Sequence, residues 1–160
     1  MTELNNPSGA MTALLDEYKK AIDELIFVIE PLNRHQLIEI IEPRSNNPDC
    51  ISIQAMLTHV TASIFSYAVY IENSIGLPTK RPGRIDYEHA PDYINRLKVG
   101  YYYTQQIFIN HPHIQLEELD PSRKINTKWG QQYDVEQMLE HAIVHILRHR
   151  RQIERVLRQF

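Results

Sequence analysis

The sequence predicts an all-α fold, a four-helix bundle with long connecting loops, and three observations carry that expectation. Four segments of roughly 20 residues each repeat apolar side chains at steps of three and four. Each stripe covers half the helix circumference or less, so the four bury their apolar faces only against one another. No segment shows the sustained alternation of a half-buried strand, and there is no solenoid-type repeat or low-complexity tract.

The elements follow in order. Asn5, Asn6, Pro7, Ser8 and Gly9 read as a loose leader, with Ser8 a candidate N-cap. Met11, Leu14, Tyr18, Ile22, Leu25 and Ile29 then make the stripe of a first helix that ends before Pro31. The segment EPRSNNPDC, with two prolines among polar turn formers, is a loop. Ser52 precedes a second helix through Met56, Val60, Ile64, Tyr67 and Ile71, stopped by Gly76 and Pro78. From Leu77 to Ala90 prolines and the basic Lys80, Arg81 and Arg84 break any period, which predicts a long connection that crosses the bundle or covers one end. Pro91 suits the first turn of a third helix with the face Ile94, Leu97, Tyr101, Thr104 and Phe108, closed near Pro112. Gly100 inside it costs about 1 kcal/mol relative to alanine. Residues 113–133 are expected to be irregular or briefly extended. Asp134 and Gln137 then form a capping box for a fourth helix running to about Arg158. The long second connection leaves an up-down-up-down order and a crossover order both open.

At 160 residues and 18.9 kDa the chain is read as a single domain. A net charge of -3 gives no general affinity for nucleic acid. Cys50 is the single cysteine and cannot form an intrachain disulfide; beside no base, it reads as an inert loop residue rather than a nucleophile. The N-terminus MTELNNPSGAM lacks the basic and apolar regions of a signal peptide, and no apolar run has membrane-spanning length. The expectation is a cytoplasmic protein with neither nucleic acid nor membrane as partner.

The stretch EHAIVHILRHRRQIE places His141, His145 and His149 at intervals of four. An i, i+4 pair sets two imidazoles on one helix face, one turn apart, close enough to share an ion. Met138, Ala142, His145, His149, Ile153 and Val156 form one inward seam, whereas His141 shares its line with Arg148 and Gln152. The inward pair is therefore His145 and His149, with His141 at the margin. A zinc-like ion needs a further protein ligand. His35, His59, His89, His111 and His113 are available, and only His59 lies within a strongly periodic helix, on the flank of its stripe with Ser63 and Tyr70. On spacing alone, any one of these histidines is more often a satisfied core or margin residue than a ligand.

The fourth helix, from His145 through His149 to Gln152, resembles the HxxxHRGQ ending of the DinB/YfiT-like metalloenzymes. Their third histidine comes from the second helix, in a context similar to QAMLTHVTAS around His59. The resemblance extends over the whole chain as four helices, with Trp129 matching an aromatic before the last helix. It implies His59, His145 and His149 as metal ligands and an up-down-down-up order. Two positions depart from the pattern: Arg151 stands where glycine is common, and Ile146 where an acidic residue often follows the first histidine. In an antiparallel arrangement of the second and fourth helices, the 1.5 Å rise per residue sets His59 nearer the level of His149 than of His141.

Three imidazoles leave coordination positions open, as in a catalytic site. The donor set suits zinc or nickel, and iron or manganese less strongly. The resemblance further implies a low-molecular-weight thiol cosubstrate and a small-molecule substrate, in a thiol S-transferase or an isomerase, with hydrolysis a weaker expectation. The alternative is a non-catalytic bundle that holds a metal or small ligand. His141, Arg148, Arg151 and Gln152 are expected around the ligands or at the substrate. The cations Arg148, Arg150, Arg151, Arg155 and Arg158 also complement the helix dipole as a solvated face. Tyr101, Tyr102 and Tyr103, on consecutive positions, must point in different directions. Surface tyrosines, amphipathic helices and the resemblance together predict a homodimer.

Overall fold

Ser8 opens the first helix as its cap: its Oγ accepts the Met11 N–H at 3.2 Å, and α1 runs Gly9–Ile29, stopping short of Pro31. The computed structural model describes residues 8–160, so the leader expected before Ser8 lies outside the described residues. A short helix follows, α2 (Arg34–Ile38), opened by a reciprocal box between Asn33 and Gln36. It buries Leu37 against the bundle. The sequence does not announce it, because five residues carry too little periodicity to read. The loop to Ser52 contains one 3-10 turn, Pro48–Cys50. Ser52 then caps α3 (Ile53–Ser74) through the Ala55 N–H. α4 is Ala90–Asn110 with Pro91 in its first turn, and α5 is Val135–Leu157, opened by the expected Asp134 and Gln137 box.

The four long helices form a ring in the order α1, α5, α3, α4, each packed on the next and α4 closing on α1. Their directions follow from which residues meet. Thr58 bonds Tyr93 and, farther along, Glu72 bonds Tyr103, so α3 and α4 are parallel. His59 meets His149 while Tyr67 meets His141, so α3 and α5 are antiparallel. Met11 lies by Phe108 and Tyr18 by Tyr101, which makes α1 and α4 antiparallel. The order is therefore up-down-down-up. Arg150 pairs with Glu24 at matching depth on the parallel neighbours α5 and α1.

A parallel α3 and α4 oblige the chain between them to return along the bundle. Residues 75–89 do so as a strap without regular structure. The strap is tied down near the start of α3: Gln54 Nε2 donates to the Tyr87 carbonyl at 2.9 Å, and Thr58 Oγ1 donates to Asp86 Oδ1 at 2.7 Å. Tyr93 Oη accepts the Tyr87 N–H at 3.0 Å. Gly100, a liability by helix propensity, is where α4 touches α3: a Cβ there would lie 2.7 Å from Ile64 Cγ2. Tyr101 is buried and donates to the Leu15 carbonyl, Tyr102 is exposed, and Tyr103 is half-buried. Residues 113–133 hold a 3-10 turn at Pro121–Arg123 and a small antiparallel ladder of β1 (Ile125–Asn126) and β2 (Gln132–Tyr133). Its turn, with Gly130 at φ +87°, presents Trp129 to Tyr67 and Tyr70 of α3. Among the described residues no helix is long and apolar enough to cross a membrane.

Candidate metal centre

Where α3 crosses the level of the second half of α5, three imidazoles converge. One ring nitrogen from each of His59, His145 and His149 lies within 4.8 Å of the others. His59 Nε2 and His145 Nε2 are 2.9 Å apart. Among the described residues no other group of three histidine, cysteine or carboxylate side chains comes together in this way. His149 is 6% exposed, on the inward seam that periodicity assigns it, and His145 and His59 are half-buried.

This environment keeps the rings neutral. Burial, followed by the neighbouring His149 and His59, pushes the His145 imidazolium down to about 2. Burial, with His59 and Arg148 next, brings His149 to about 4. Burial also lowers His59, against the opposing pull of Asp49. A ligand imidazole must offer a lone pair, so rings that resist protonation at neutral pH are already in the binding form.

Whether these residues fit a divalent ion can be judged from the remaining nitrogens. His59 Nδ1 lies 3.1 Å from Asp49 Oδ2. A carboxylate there is placed to accept a hydrogen bond from Nδ1–H, the tautomer that leaves the Nε2 lone pair toward the other rings. His149 Nδ1 and Gln152 Oε1 are both buried, one helical turn apart and complementary as donor and acceptor, and Gln152 acts on the His149 ring as a hydrogen-bond acceptor. His145 Nδ1 is buried and unbonded. Three nitrogen donors of neutral imidazole, two of them beside an oxygen acceptor able to orient them, suit a zinc-like cation.

His141 stands outside this group, at the margin where the seam argument puts it. It stacks on Trp129 at 4.8 Å between centroids, and its Nδ1 lies 3.2 Å from Tyr133 Oη. Tyr67 sets its ring edge against both His141 and His145, so an aromatic wall of Tyr67, Trp129 and Tyr133 closes one side. On the outer face of α5, Arg148, Arg151 and Gln152 line an open groove of about 630 Å³ with Val144, Leu147 and Arg155. The charge of Arg148 reaches all three imidazoles of the triad.

The other histidines lie apart from the triad: His35 pairs with Glu39 on α2, and His89 and His111 flank the ends of α4. Cys50 is half-buried against the core. Sequence reasoning missed Asp49 and its partner Arg84, both in segments without a period. Their proximity to His59 depends on how two loops fold back on α3, which spacing does not encode. No protein-family model matches the chain, and no curated protein matches it.

Proposed function

We propose that the chain is a metal-dependent enzyme of the DinB-like class, holding a divalent ion on His59, His145 and His149 and acting on an electrophilic small molecule with a low-molecular-weight thiol. Zinc or nickel suits the three nitrogens best, ahead of iron or manganese. The observation that carries this reading is the convergence of three neutral imidazoles from two helices, with their nitrogens within 4.8 Å. When bound, such an ion supplies Lewis acidity, which makes a thiol or water nucleophilic at neutral pH. The protein's own groups do the rest. Gln152 is placed to accept a hydrogen bond from His149 Nδ1–H and so orient that ring. Tyr67 and Trp129 limit water on one side. Arg148 and Arg151, in the open groove, offer bidentate donors to the carboxylates of an anionic thiol. Transfer of the thiol is the favoured reaction, isomerisation the next and hydrolysis the weaker one.

Metal content and turnover test this together. Purified wild type should carry one zinc or nickel per chain and turn over an electrophile with a small thiol until chelator is added. His59→Ala, His145→Ala and His149→Ala should each lose stoichiometric metal, while His141→Ala keeps most of it. Helical circular dichroism should survive all four changes, since the apolar stripes supply most of the burial. A site emptied by His141→Ala and not by His149→Ala sinks the ligand assignment. Full metal loading with no turnover across thiols and water sinks the enzyme reading and favours a bundle that only binds.

A further inference from the structure

Asp49 sits in the 3-10 turn just before α3, and its carboxylate is divided between two partners. Oδ2 faces His59 Nδ1 at 3.1 Å, and Oδ1 accepts from Arg84 Nη2. The carboxylate is only 24% exposed. The turn does not need it: Asn47 Oδ1 caps that turn by accepting the Asp49 backbone N–H at 3.0 Å. The side chain is thus free to act on the imidazole. Arg84 belongs to the strap of residues 75–89, which is otherwise tied to α3 and α4 through Ile85, Asp86 and Tyr87. The loop before α3 and the strap after it meet at one carboxylate, and that carboxylate meets one of the three converging histidines.

We infer that Asp49 is a positioning residue for His59, holding its Nδ1 proton so that Nε2 faces the α5 imidazoles, and that through Arg84 it makes metal binding and strap docking mutually stabilising. The second half of this inference rests on the metal reading above. The chemistry is direct. Without an acceptor at Nδ1 the half-buried ring is free to carry its proton on Nε2, where it would point a donor instead of a lone pair at the site. Coordination draws electron density from the ring and strengthens the Nδ1–H to carboxylate bond, and removal of such partners typically weakens metal binding roughly 10–100-fold. Linkage then requires reciprocity: whatever affinity the metal gains from a docked strap, the strap gains from the metal. An ordinary exposed ion pair would show neither effect, since its strength would not depend on what happens at His59.

Three readouts on wild type, Asp49→Ala, Asp49→Asn and Arg84→Ala decide the matter. Nitrogen-15 NMR of the metal-free proteins reads the His59 tautomer. Competition with a chelator gives zinc affinity, and amide exchange at Tyr87 reports strap docking. Wild type should show the Nδ1–H tautomer, Asp49→Ala should lose that preference and bind zinc roughly 10–100-fold more weakly, and Asp49→Asn, which keeps an acceptor oxygen without the charge, should fall between. Zinc should slow exchange at Tyr87 in wild type and not in Arg84→Ala. An Nε2–H tautomer in wild type, zinc affinity of Asp49→Ala within about twofold of wild type, or Tyr87 exchange indifferent to zinc in wild type overturns the inference. A wild type that binds no zinc overturns the metal reading and the linkage with it; the tautomer, read without metal, still decides the role of Asp49.

Discussion

Chelator-stripped protein should lose stability as pH falls from 7.5 to 5, and two residues should account for the largest share of the loss. In the fold, the His145 imidazolium is held at about 2 and that of His149 at about 4, first by burial and then by neighbouring rings and Arg148. In the unfolded chain each titrates near 6.5. The folded values lie below the unfolded one, so between them the unfolded chain binds more protons than the native protein. The contribution is therefore fully present above the unfolded value and declines as pH drops below it. At pH 5, about 1.5 units below 6.5, each ring removes roughly 2 kcal/mol, or about 4 kcal/mol together, at about 1.4 kcal/mol per unit. That is a large share of a domain stability of about 5–15 kcal/mol. At roughly 2–4 °C per kcal/mol for a chain of this length, Tm should fall by about 8–16 °C. Urea unfolding in chelator at a series of pH values measures it, with His145→Leu/His149→Leu as control. A metal-free wild type whose stability moves by less than about 1 kcal/mol over this range, or a double variant with the same slope, refutes the reasoning.

Gly100→Ala should destabilise, although alanine for glycine inside a helix ordinarily stabilises by about 1 kcal/mol. The added Cβ would meet Ile64 Cγ2 at 2.7 Å with Phe65 Cε2 at 3.4 Å, and β-branched Ile64 has little rotamer freedom to give way. Overpacking of about 1–3 kcal/mol outweighs the propensity gain, so a lowered denaturation midpoint is expected and a raised one would show that the α3 and α4 contact relaxes freely. Light scattering at micromolar concentration should give a dimer, twice the 18.9 kDa of the chain. A clean monomer mass removes this expectation without touching the triad.

The parts of this molecule that read directly from sequence are those governed by local rules. Ser8, Ser52 and Asp134 are all caps in the structure, because an N-cap satisfies backbone donors within its own turn. The seam through Ala142, His145 and His149 separates the inward pair from His141, because azimuth on one helix depends only on spacing. Non-local placement is different. Nothing in the α3 pattern says that its flank at His59 faces α5; that follows from the ring order of the bundle. Gly100 reads as a weakness until the neighbouring helix is present, and α2 is too short to show a period. Asp49 and Arg84 stand 35 residues apart in loops, and their meeting is a property of the crossover.

That crossover has a consequence for the triad. Because α3 and α4 are parallel, the chain leaving α3 at Ser74 must come back to the level of Ile53 before α4 begins. His59 is six residues into α3, about 9 Å from its start at 1.5 Å per residue. The return therefore ends beside His59, and so does the loop that enters α3 through Asp49. In an up-down-up-down bundle the second and third helices would be joined by a short hairpin at the far end, and that connection would not return to the start of α3. A long connection adds little closure entropy per added residue, so the strap is a small thermodynamic burden. In exchange it delivers Arg84 to the carboxylate that touches the histidine. The other long segment, residues 113–133, reaches the opposite side, where Trp129 covers His141 and packs on Tyr67. The helices set the three imidazoles level, and the two irregular segments, by their placement, determine which sides of the triad are walled and which are left open.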